Sequence, residues 1–480
     1  MAPFDRFTES YSADRFRALG HRIVDRLADY LAEVSSERSP MEVLPRRTPD
    51  EALSRWPGAF DDGKADDLES LLTRVIAESN HLHHRRYVGH QVTAPLPDAA
   101  LCELVGAFLN NSMAVYEMGP ASTAMERAVI AWMAAQLGFP TTADGVLTSG
   151  GSIGNLTALL AARASKGAGR APQSLAVIAC EQAHYSVRRA VEIMGLGSEG
   201  AIAVPADERF RMRVDLLDDA HRVAKARGRE AIAVVGSACS TATGAVDDLR
   251  AIGDHAAARG LFFHVDGAHG ASAILAPAHR SLLDGVERAD SIVWDAHKMM
   301  TMPSLVTAVI FRDGDRSYDA FAQEASYLFE GNRPRDEWFN LATRTLECTK
   351  RMMALPIYAA LAVHGPSYFA EYVARTFERA RVFAERLRRE PDFELAVEPQ
   401  CNIVCFRHRP EGVADVDGLQ RTIRKRIVDS GAFYLVQTGL PRGVFLRVTI
   451  INPLTTDDDL AALIDAVRGA ASSASADSGR

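Results

Sequence analysis

Cysteine, unbroken apolar runs and surplus positive charge are all scarce in this sequence. Its 480 residues include only six cysteines, at positions 102, 180, 239, 348, 401 and 405, too scattered for a disulfide framework. No stretch reaches the ~18 consecutive apolar residues of a membrane-spanning helix. Lysine and arginine total 54 against 62 aspartates and glutamates, a net charge of −8. That balance offers nucleic acid no basic face and a membrane no polybasic anchor. The opening MAPFDRFTESYSADRF lacks the apolar core of a secretory signal. A cytoplasmic, reducing location is therefore expected. Cys401 and Cys405 fall on one face of the strand-like CNIVCF. No second ligand pair follows them, so they are read as buried thiols and no metal site is expected.

What the chain does have is a 47% hydrophobic content, enough for a large core. Residues 1–95 read as a helical segment, in which Phe16, Leu19, Ile23, Leu27, Tyr30 and Leu31 form one apolar face. Such a face needs a packing partner, and another subunit is expected to supply it. Across 96–345, apolar runs alternate with helical stretches: SLAVIAC, AIAVVGSAC, GLFFHVDGA and ADSIVWDA, with TAVIFRDG after them. Runs of this kind are the mark of buried parallel strands in an α/β sheet. Ligands of such sheets gather at the carboxyl ends of the strands. Residues 346–480 read as a smaller α/β domain, with TTDDDLAALIDAVRG as a capped helix start and a disordered tail from 471.

The chemistry concentrates in HVDGAH (264–269) and DAHK (295–298). Asp266 and Lys298 are one βαβ crossover apart, which brings a carboxylate and an amine to neighbouring strand ends. Pyridoxal phosphate (PLP) needs this pair, an acid against its pyridine nitrogen and a lysine for its aldehyde. By itself, an ordinary ion pair would explain them equally well. A third feature tips the balance: GVLTSGGSIGNLTALL (145–160) runs from a strand through a glycine turn into a helix. The N–H groups of that helix start, with Ser152, make a phosphate seat. No G-x-x-x-x-G-K-[ST] pattern is present, so a nucleotide triphosphate is not indicated. His184, after the SLAVIAC strand, is placed to stack on a flat ring.

These motifs, with HYSVRRA and FLRVTIINP, make the chain resemble the group II PLP-dependent amino-acid decarboxylases over roughly residues 14–470. That family includes the glutamate, cysteine sulfinate and aromatic amino-acid decarboxylases. The resemblance implies PLP fold type I and a homodimer with active sites at the subunit interface. It makes Lys298 the Schiff-base lysine, Asp266 the partner of the pyridine nitrogen and His184 the ring-stacking group. Ala268 would pack on the opposite ring face. Gly151, Ser152 and His297 would hold the phosphate, and Thr241 would sit by the ring hydroxyl. HKMM, VYEMGP and ASYLF lean toward the glutamate/cysteine sulfinate branch and acidic substrates. There Gln91 matches a substrate-contacting glutamine, and Arg447 matches an arginine that pairs with a substrate carboxylate.

Two departures stand out. Asp295-Ala296 replaces the usual Asn-Pro before His-Lys, which sets a carboxylate near the phosphate. Such a charge must point away or take a cationic partner. Ungapped alignment puts Arg335 where the branch has the loop tyrosine associated with returning a proton to Cα. Failure of that step would give an aldehyde or ketone rather than an amine, and a register shift would bring Tyr327 into use. The main reading is decarboxylation to an amine. The alternatives are decarboxylation-dependent oxidative deamination or transamination, an aromatic or diamino-acid substrate, a nucleotide enzyme and a silent scaffold.

Overall fold

The computed structural model describes residues 5–56, 58, 67–321 and 336–477. Arg335 and Tyr327 lie outside the described residues. The larger sheet contains β1 (Asp144–Thr148), β2 (Leu175–Cys180), β3 (Ala201–Val204), β4 (Glu230–Ser237), β5 (Phe262–Asp266), β6 (Ser291–Asp295) and β7 (Thr307–Phe311). Their spatial order is β1-β7-β6-β5-β4-β2-β3. Strands β3, β2, β4, β5 and β6 pair in parallel, each next to its neighbour. Every residue of β5, β6 and β7 is buried, as continuous apolar runs covered on both faces require. The β7 strand pairs antiparallel with both β6 and β1. Its direction is hidden in the sequence because a strand buried on both faces reads the same either way.

The smaller sheet contains β8 (Phe393–Leu395), β9 (Ile403–His408), β10 (Val436–Leu440) and β11 (Gly443–Thr449). Its order is β10-β11-β9-β8, antiparallel throughout. The long helix Ala354–Arg389 covers it but is interrupted at Gly365, where φ is 75° and Pro366 follows. Only glycine takes that backbone readily. The final helix is Asp457–Asp477. Asp459 N–H donates to Thr456 Oγ1 at 3.3 Å, and Thr456 N–H donates to the Asp459 carboxylate at 2.9 Å. This reciprocal cap matches the helix start read from the sequence. The tail expected to be disordered from 471 is instead helical to Asp477. A helix already nucleated extends easily through alanines such as Ala471, Ala474 and Ala476.

The N-terminal helix Ala13–Val34 is capped by Ser12. Its Phe16 ring lies 4.8 Å from that of Phe108, on the helix Pro97–Leu109. The contact does not cover the apolar face. Phe16 remains 52% exposed and Phe108 67%, with Leu27, Leu101, Leu104 and Val105 also open.

Candidate active site

The carboxyl ends of β4, β5 and β6 and the start of the helix Gly151–Lys166 surround a cavity of about 290 Å³. Gly151, Ser152, His184 and Thr241 line it, as do Asp266, Ala268, His297 and Lys298. Residues from five separate segments are thus brought together. Asp266 ends β5, paired in register with Val293 of β6, so the turn carrying Lys298 emerges beside it.

A hydrogen-bond network stands behind the Asp266 carboxylate. Asn155 Nδ2 donates to Asp266 Oδ2 at 3.0 Å and to Ser186 Oγ at 2.9 Å. The Asn155 carbonyl oxygen lies 2.9 Å from His264 Nε2, so that nitrogen carries the proton. His264 Nδ1 lies 2.8 Å from Ser291 Oγ. Burial pushes His264 down to about 4, which keeps it neutral. Ser186 in turn meets His184 Nδ1 at 2.7 Å. One amide therefore ties Asp266 to His184. Neither Asn155 nor Ser186 stands out in the sequence. Both sit inside motifs whose neighbours draw the attention, and the clue was a buried amide on the cavity side of the glycine-rich helix.

Asp295 resolves the first departure. It is buried, and its carboxylate lies 2.8 Å from Lys298 Nζ, 3.6 Å from His297 Nε2 and 2.6 Å from Thr307 Oγ1. Burial alone would raise the Asp295 pKa, but Lys298, His297 and Thr307 hold it below the usual carboxylate range. Burial alone would lower Lys298. The Asp295 and Asp266 charges outweigh it and raise the lysine instead. The carboxylate has the cationic partner it requires, three residues along the chain.

Gly150 and Gly151 shape the cradle. Gly150 has φ +131°, a backbone open in practice to glycine alone. A Cβ on Gly151 would come within 3.1 Å of the Asp295 carboxylate oxygens and 3.4 Å of Ala268 Cβ. The first N–H groups of the helix have no intrahelical acceptor and face an anion favourably.

Gln91 and Arg447 do not line this cavity. Both are buried, and Gln91 Nε2 and Arg447 Nε lack hydrogen-bond partners among the described residues. Arg447 lies on β11, within electrostatic reach of Cys239, Cys401, Cys405 and Tyr87. Its Nη2 donates to Thr449 Oγ1 at 3.3 Å. Among the described residues it has no carboxylate partner, which removes a structural ion pair there as its explanation.

Comparison with known proteins decides the family. Residues 62–409 match the pyridoxal-dependent decarboxylase conserved domain. The chain belongs to that family. It is similar to mouse cysteine sulfinic acid decarboxylase, 29% identical over 83% of this chain and 85% of the relative. It is also similar to L-2,4-diaminobutyrate decarboxylase of Rhizobium meliloti, 30% identical over 96% and 92% respectively. The crystal structure of mouse CSAD superposes with a TM-score of 0.88 at 26% identity, over 96% of this chain and 99% of that one. The protein is a PLP-dependent amino-acid decarboxylase of fold type I.

The cavity fits that cofactor. It offers one amine, a carboxylate held by an amide, a glycine-cut helix start and the Ser149 and Ser152 hydroxyls. Its volume lies near the lower bound of small-molecule pockets, roughly 300 Å³.

Proposed function

We propose that Lys298 is the Schiff-base lysine of this decarboxylase and that its substrate is an acidic L-amino acid. Bound PLP supplies the electron sink for the pair released when the Cα–carboxylate bond breaks. Asp266, steadied by Asn155, keeps the pyridine nitrogen protonated. His184 and Ala268 would take the two ring faces. Gly151, Ser152 and His297 would hold the phosphate, and Thr241 would lie by the ring hydroxyl. Lys298 would hold the cofactor covalently through Nζ, and the same amine, when free, would be placed to move a proton in the cavity.

The acidic preference rests on the unpaired, buried Arg447. A buried cation is costly unless paired. A carboxylate that leaves as carbon dioxide loses its charge, so an ion pair to it would stabilise the ground state and slow the step. Arg447 is better used on the charge that persists, that of the substrate side chain. Cysteine sulfinic acid carries such a group, which supports the reading. Arg447→Met is expected to lower kcat/KM for acidic substrates roughly 30-fold or more. Equal losses on acidic, diamino and aromatic amino acids would count against this role.

The test of the whole reading is to supply separate L-amino acids to PLP-loaded enzyme and follow carbon dioxide, amine, aldehyde and peroxide together. Carbon dioxide matched by amine, fastest with an acidic substrate, is the expected result. Aldehyde with peroxide would replace simple decarboxylation by oxidative deamination. Faster turnover of a diamino or aromatic acid would displace the acidic reading.

Asp295 is expected to set the charge state of the imine on Lys298. In Asp295→Asn, the pH at which the cofactor's visible absorbance titrates should fall by about one unit or more, because removing the anion eases proton loss. An unmoved titration would mean that Asp295 serves only to hold the turn.

The open apolar surface of Phe16, Leu27, Leu101, Leu104, Val105 and Phe108 supports a homodimer, since patches of this kind are seldom left to water. A cytoplasmic setting accords with the six free cysteines and with the absence, among the described residues, of any helix long and apolar enough to cross a membrane.

A further inference from the structure

Beside the cofactor cavity lies a cluster that decarboxylation does not use. Cys239 follows β4, His269 follows β5, and Cys401 leads into β9 of the smaller sheet. All three are buried, and two sulfurs and one ring nitrogen lie within 4.8 Å of one another. The two sulfurs are 3.6 Å apart. Tetrahedral zinc with Zn–S of about 2.3 Å sets its sulfurs about 3.8 Å apart, so the spacing needs little adjustment.

The histidine has one ring nitrogen held and the other free. Asn402 Nδ2 faces the Ile450 carbonyl at 3.2 Å and Met299 Sδ at 3.3 Å, which turns its oxygen toward His269. That oxygen lies 2.7 Å from His269 Nε2, so Nε2 carries the proton. Nδ1 is then a bare lone pair, buried and without a partner among the described residues. Metal-bound histidines commonly donate their second N–H to a carbonyl in this way. Gly244 adds to the fit: a Cβ there would meet Cys401 Sγ at 2.6 Å, and glycine alone lets the loop approach.

We propose that Cys239, His269 and Cys401 form a Cys₂His site for a soft divalent cation of the zinc type, clamping the smaller sheet to the larger beside the active site. Cys239 and His269 also line the cofactor cavity, which gives the cation an open fourth position on that side. Charge permits it despite Lys298 and Arg447 nearby. One dication replaces two thiol protons, which leave to solvent, and the net charge of the cluster is unchanged. A disulfide explains less. It leaves the bare His269 nitrogen without a role.

The experiment takes the full-length PLP-loaded enzyme, stripped with chelator and kept under a phosphine reductant, and adds zinc, then cobalt(II) in a parallel sample. One zinc per chain should survive gel filtration and raise Tm. Cobalt should give thiolate charge-transfer absorption and the intense visible bands of a tetrahedral site. Cys401→Ser and Cys401→Ala should each drop from one cation to none, with cofactor absorbance confirming the fold. Cys405→Ser should keep the full cation, because Cys405 Sγ faces the Ala242 carbonyl at 3.2 Å instead. No retained zinc in the parent, or full retention in both Cys401 variants, would overturn the proposal.

Discussion

Lys298→Ala is expected to lose the visible absorbance of bound cofactor and to lower kcat by about 10⁴-fold or more, as removal of a covalent catalyst does. The residue sits at the cavity with Asp295 as its ion-pair partner, so the substitution has two consequences. Without the amine, nothing can hold the aldehyde covalently. Without the ammonium, the buried Asp295 loses the partner that stabilises it, at a cost of about 3–5 kcal/mol. A fall in Tm would therefore accompany the loss of activity. Lys298→Arg separates the effects: it keeps a cation against Asp295 but cannot form the imine. We expect Lys298→Arg to be equally inactive yet closer to the parent in Tm. Measurable turnover by either variant at near-parental rate would remove Lys298 from its assigned role.

Asp266→Asn is the second large effect. The change is nearly isosteric, and the position would still be flanked by the Asn155 amide now 3.0 Å from the carboxylate. The negative charge alone disappears. An electron sink depends on a protonated pyridine nitrogen, and a neutral amide does not hold that proton. We expect kcat to fall about 10³-fold with the cofactor still bound, in line with the loss of one preorganised electrostatic contact. Loss of cofactor affinity with unchanged kcat in the loaded fraction would make Asp266 a binding group only.

These effects were largely legible in the sequence because they depend on local signals. Buried parallel strands announce themselves as continuous apolar runs, and their ends carry Asp266 and the Lys298 turn. The glycine pair at 150–151 marks the helix start, and the cavity brings in all eight residues read as cofactor contacts. Less legible was whatever depends on partners distant in the chain. Asn155 acquires its meaning only when β5 and the start of helix Tyr185–Ile193 converge on it. Cys239 and Cys401 are 162 positions apart, so no spacing rule pairs them. The sequence reading grouped Cys401 with Cys405, and the fold separates their sulfurs between Cys239 and the Ala242 carbonyl.

Asp295 shows a different limit. A carboxylate near a phosphate seat reads as a conflict until the backbone turn shows Lys298 folding back onto it. Short edge strands were missed for a similar reason. The β3 and β10 strands alternate in burial at the margins of their sheets, and runs so short carry little pattern.

The central claim, that this chain holds PLP on Lys298, is tested most directly by reducing the loaded enzyme with borohydride, digesting it and mapping the modified peptide. A pyridoxyl group on Lys298, at close to one per chain, is the expected result. A label on another lysine, or none in enzyme that still decarboxylates, would contradict it.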